Sequence, residues 1–224
     1  MSYVLRLIED RFEPGSRRAR PLAALNRVLY VRSGEIVATV EGRDTSIPAG
    51  RGWHAAGGCG VAAGAAGADV LRYELVREPG APPTVEGAQP GVTSRLVLEH
   101  PIALDPVQKY LMRNDRVDFA PGGEALAHRH RGGGIRCLLE GRLELRIEGH
   151  EPRAVTPGGA WFESGREPVH AAAAPEAATS FIRVSILPRE IRGQSSIMYV
   201  DSADAARSKP RQYTVHVDEP IELP

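Results

Sequence analysis

The chain has 224 residues, and its 28 lysines and arginines equal its 28 aspartates and glutamates, so no net field gathers nucleic acid or an anionic membrane surface. A composition of 42% hydrophobic and 25% charged residues excludes disorder throughout, and no apolar run approaches the length of a membrane-crossing helix. Two cysteines, Cys59 and Cys137, give no framework of bridges, and the first residues lack a charged-then-apolar signal pattern; a cytoplasmic protein is expected.

Glycine and proline recur at short intervals as turn punctuation, which favours many short strands over helices. Residues 3 to 9 read YVLRLIE, a strand, and Pro14-Gly15 turns the chain. RVLYVRSGEIVATVEG, residues 27 to 42, reads as two strands joined in a hairpin through Ser33-Gly34. After a turn at Pro48-Ala49-Gly50 and an Ala/Gly-rich stretch from His54 to Ala68, VLRYELV at 70 to 76 gives another strand. Helical turns are expected only near Pro21 to Leu25 and Ser202 to Arg207. Residues 79 to 92, PGAPPTVEGAQPGV, have the composition of a linker.

The same order of signals then returns. VDFAPGGEA matches RFEPGSRRA, LLEGRLELRIEG matches YVRSGEIVATVEG, TPGGAWF matches IPAGRGW, and FIRVSIL matches VLRYELV. Pro14 to Gly34 and Pro121 to Gly141 span the same distance, so duplication is the better account of the matches. The expected fold is all-β, with two equivalent small barrels or sandwiches at 1–80 and 95–190 and a linker at 81–94. The tail, 191–224, carries SSIMYV and QYTVHVDEPIEL, extra strands for an open edge of either unit or of a partner subunit.

The stretch HRHRGGGIRCLLEG, residues 128 to 141, stands out chemically. His128 and His130 are two apart, so both imidazoles leave one face of a strand. A metal site needs at least a third ligand from another strand, and His170 in PGGAWFESGREPVH is the candidate; the plainer reading is a pair decorating a strand edge. Three neutral imidazoles suit one divalent ion, with iron, zinc, nickel, copper and manganese all open. Parity places Gly134 and Arg136 on one inward face, where a buried guanidinium needs an anionic partner: a substrate carboxylate, Glu140 or Glu163. Glu163 itself is a candidate fourth ligand, a support for a histidine tautomer, or an edge residue. Trp161 and Phe162 read as core, His100, His150 and His216 as chemically silent, and His54, aligned with Glu163 in the repeat, as a satisfied or surface histidine or the mark of a vestigial site.

These residues resemble the motifs of the bicupins, tandem pairs of jelly-roll β-barrels. Gly123 through His128, His130 and Gly141 fit the first cupin motif, and Gly159 and His170 fit the second. The resemblance implies that His128, His130 and His170 bind a metal inside the second barrel. It also shows departures: Gly134 stands where the family has a ligand glutamate, and Gly165, Glu167 and Ala174 replace the usual proline, glycine and asparagine. In the first unit Pro21, Ala23 and Val61 fall at the histidine positions, which implies a degenerate barrel without metal. HRHRGGGIRCLLEG is also locally similar to gentisate and salicylate ring-cleaving dioxygenases, which lack the motif glutamate and place an arginine on the substrate carboxylate where Arg136 stands. The implied function is an iron-dependent dioxygenase acting on a small carboxylated, aromatic or other, substrate, in a homodimer. The alternatives are a non-catalytic metal- or ligand-binding sensor, and an isomerase or lyase.

Overall fold

Bulky and β-branched residues at Tyr3, Val4, Leu5, Leu7 and Ile8 start an extended chain at once, and the structure, a computed structural model, opens with strand β1, Ser2–Phe12. It describes residues 2–78, 90–207 and 211–224 and divides into two units, Met1–Val107 with Ile221–Pro224, and Gln108–Pro220. Most of the expected linker lies outside the described residues.

In the first unit β2, Asn26–Val40, is followed by β3, Arg43–Pro48, β4, Gly52–Ala55, β5, Gly60–Glu78, and β6, Val92–Ile102. They form one sheet in the order β3-β2-β5-β1-β6, with β4 also on β2. Val92 to Ile102 thus pairs with β1 in this unit, although Val92 to Ser94 were assigned to the linker and the following residues to the second barrel. The hairpin expected at Ser33-Gly34 is a bend in one continuous strand. Gly34 takes a positive φ of 73° and lies against the Gly67 carbonyl of β5, and the register slips on either side of it. A bulge of this kind turns a strand around a barrel corner without reversing it. The reversal comes later, at Glu41-Gly42, both with positive φ. Leu22 makes an isolated bridge to Cys59 where a helical turn was expected, whereas Ser202–Ala206 is a short 3-10 turn as read.

The second unit runs β7, Tyr110–Phe119; β8, Glu124–His130; β9, Gly134–Glu140; β10, Leu143–Ile147; and β11, Arg153–Val155. It continues with β12, Ala160–Glu163; β13, Val169–Ala173; β14, Thr179–Pro188; β15, Ile197–Tyr199; and β16, Arg211–Ile221. Two five-stranded sheets result, β11-β10-β13-β8-β15 and β12-β9-β14-β7-β16. Their inward residues share one apolar core, with Val117, Phe119, Leu138, Leu145, Trp161 and Phe181 among its members. The tail strands join this unit, β15 on β8 and β16 on β7. Cys59 and Cys137 are both buried thiols, and among the described residues no helix is long and apolar enough to cross a membrane.

Candidate functional site in the second barrel

Alternation along β8 sends His128 and His130 inward, a register shift against β13 brings Ala125 to the same face, and the two imidazoles meet edge to face with ring centroids 4.8 Å apart. Both are nearly sealed from solvent, at 5% and 6% exposure. The Leu126 carbonyl accepts from His128 Nδ1 at 2.7 Å, which fixes that tautomer and leaves Nε2 as a bare acceptor. His130 Nδ1 donates to Ser196 Oγ at 3.3 Å, and its Nε2 accepts from Arg183 Nη1 at 3.4 Å.

Two more strands complete the ring. Gly134 on β9 is the register partner of Glu163 on β12, and Arg136 of Trp161, so carboxylate and guanidinium stand on neighbouring strands. Arg136 Nη2 lies 2.7 Å from Glu163 Oε2, and Trp161 Nε1 donates to Glu163 Oε1 at 2.7 Å. Glu163 Oε2 is also 3.4 Å from His130 Nε2. Of the partners weighed for Arg136, Glu163 is therefore the one in place, while Glu140 pairs with Arg116. Burial drives the His130 pKa down to about 3, with Glu163 opposing and Arg183 and Arg136 assisting. Burial also lowers that of His128. Burial opposes the charge on Glu163, yet Arg136, His130 and Trp161 outweigh it and hold the carboxyl below the usual range.

His170 does not join them. Its neighbours Val169 and Ala171 face the barrel interior, with Val169 in register against His128, so parity turns the intervening imidazole outward. There Nε2 meets Glu124 Oε2 at 3.1 Å, partly in solvent. The expected third ligand is thus corrected: valine occupies the inward position, and the histidine is one residue out of phase. Among the described residues no group of three His, Cys, Asp or Glu is arranged to hold a metal ion. Of the donors that remain inside, His128 keeps Nε2 open, while His130 Nε2 and Glu163 are engaged by Arg183, Arg136 and Trp161, so the set does not fit a resident metal.

Arg183 was not singled out from sequence. It comes from β14, buried, and its Nε and Nη2 donate to the two carboxylate oxygens of Asp115 at 2.9 and 2.7 Å. The signal was present: an arginine amid the apolar strand FIRVSIL, matched by Arg72 in VLRYELV. Ser196 and Tyr213 were also missed. Both belong to the tail, and pairing of distant tail strands has no local sequence signature. Together His128, His130, Arg136, Glu163, Arg183 and Tyr213 surround a cavity of about 20 Å³, room for one water and not for an aromatic ring.

No family model matches the chain, and no curated protein matches it. Solved structures do. Oxalate decarboxylase from Bacillus subtilis at pH 4.6 superposes with a TM-score of 0.64 at 11% identity, covering 91% of this chain and 72% of that one. Another oxalate decarboxylase structure gives 0.61 at 13%, covering 91% and 73%. AerE from Microcystis aeruginosa gives 0.57 at 13%, covering 84% and 88%. At such identities the likeness is one of fold, and the fold is the two-barrel cupin architecture expected from the repeat.

Proposed function

We propose that the second barrel binds a small carboxylic acid between Arg136, Arg183 and His128, with the lining side chains shifting to widen the water-sized cavity as the acid enters. One observation carries the reading: a ring of ionisable side chains is buried around a cavity in an otherwise apolar barrel. Buried ion pairs stabilise a fold no better than apolar residues of similar volume, and in this barrel the charged groups also face a cavity. A guanidinium offers donors matched to a carboxylate, and two line this cavity, each held on one side by its own carboxylate, Arg136 by Glu163 and Arg183 by Asp115. His128 Nε2 supplies the acceptor. A neutral acid that enters leaves its proton on that nitrogen and its carboxylate against the guanidiniums, and the site stays electrically balanced. The oxalate decarboxylases of the same fold are named for a small dicarboxylic acid, which agrees in ligand class.

Calorimetric titration with formate, acetate, oxalate and benzoate, in chelator, tests the reading. Expected is binding of the small acids, weakened at least about tenfold (about 1.4 kcal/mol) by Arg136→Ala, with benzoate excluded. Absence of binding for all four, or affinity indifferent to Arg136, overturns it.

A second reading keeps the metal and with it dioxygenase or lyase chemistry. It is favoured by the shared strand face of His128 and His130 and by Glu163 Oε2 at 3.4 Å from His130 Nε2. It requires Arg183 to withdraw. One equivalent of iron or another divalent metal in the purified protein would select it.

A further inference from the structure

We propose that the guanidinium of Arg183 takes the place of a metal ion in the second barrel; the inference deepens the reading of that barrel as an acid-binding site. Nη1 of Arg183 stands 3.4 Å from His130 Nε2, the ring atom a metal would have to use. Asp115, its register partner across β7 and β14, holds the other side of the guanidinium through two hydrogen bonds. Arg183 cannot leave His130 by a simple rotation without breaking that fork.

The surrounding positions agree. At Gly134 any β-carbon would run into the Val184 carbonyl and the Ser185 side chain, so a ligand glutamate there is sterically blocked. Val169 fills the inward place on β13. Glu163 is claimed by Arg136 and Trp161. Arg136 and Arg183 are already balanced by Glu163 and Asp115. A divalent ion added to that set leaves two uncompensated charges in a sealed, low-dielectric interior, whereas an arriving neutral acid leaves none. The barrel therefore carries its own cation, fixed by covalent attachment and directed at the ligand.

The test uses the full chain, stripped with chelator and titrated with Co²⁺, read by visible absorption and equilibrium dialysis. Expected is no bound cobalt above background in the native protein. Arg183→Met combined with Asp115→Asn should take up about one equivalent, lost again when His130→Ala is added. If that pair of substitutions prevents folding, Arg183→Gln removes the charge while keeping a donor for Asp115 and carries the same expectation. One equivalent of cobalt in the native chain, abolished by His130→Ala, overturns the proposal. So does a folded Arg183 variant, by circular dichroism, that gains no cobalt. Acid binding in chelator is measured separately, so tight native cobalt with intact acid binding removes only the guanidinium's role, and a cobalt-free chain that ignores acids removes only the acid site.

Discussion

The two barrels bury an arginine at the matching place in the repeated strand, Arg72 in VLRYELV and Arg183 in FIRVSIL, and surround it differently. In the first, Arg72 donates to Asp10 at 2.7 Å and to Glu74 at 2.7 Å, Arg27 closes on Glu74, and Arg18 on Asp10. Carboxylates there meet guanidiniums. In the second, Asp115 takes only one side of the guanidinium, and the other side faces His130 and the cavity. A buried arginine is thus enclosed by carboxylates in one barrel and turned on one side toward an imidazole and a cavity in the other, and the difference lies in its neighbours. The contrast predicts that damage to the first network costs stability, while damage to the second costs ligand.

The largest effect should come from Arg72→Met. Asp10 and Glu74 would then stay buried with Arg18 and Arg27 as their remaining ionic partners, at longer distances, and with Ser94 donating to Asp10. Breaking a buried pair by removing one partner costs about 3–5 kcal/mol. Urea unfolding should show that loss; acid binding in the fraction still folded should be unchanged. A variant as stable as the native chain would mean that the first network is as dispensable as an apolar replacement.

Next in size is Gly134→Ala. The new methyl collides with the Val184 carbonyl and the Ser185 side chain across β9 and β14, in a well-packed sheet. Overpacking of this kind costs about 1–3 kcal/mol. Thermal unfolding should register it, and an unchanged midpoint would reopen the position to a longer side chain.

A third test uses acid. The pKa of His130 is about 3 in the folded chain against an ordinary value near 6.5, so the unfolded chain binds the extra proton between those values. Stability is therefore full above roughly pH 6.5 and falls as the pH drops toward 3. Glu163, also shifted downward, adds to the loss at the acid end. His130→Asn should flatten the dependence of the melting temperature between pH 6.5 and 4.5. The same slope in that variant would show that other groups carry it.

Strand content, the duplication and the inward face of His128 and His130 were legible because period-two alternation and turn residues are local signals. Two features were not. The Ser33-Gly34 signal reads alike whether glycine reverses a strand or bends it, and only the long partner β5 decides. The phase of His170 depends on where β13 starts, and a shift of one residue moves a side chain to the other face. Arg183 was hidden for another reason: its partner Asp115 is 68 residues away, and nothing in FIRVSIL names it.

The smallest expected effect belongs to His170→Ala, and its smallness is the point. If the ring faced the cavity, its loss would remove a ligand or open a void beside His128. Here it meets Glu124 across a partly solvated gap, and exposed ion pairs contribute about 0–1 kcal/mol. The melting temperature and acid affinity should both stay near native. Val169→Ala, one position earlier, removes two methyl groups from the cavity wall beside His128 and should cost more, about 1–3 kcal/mol. A reversed order, with His170 the sensitive position, would move β13 by one residue and return the histidine to the site.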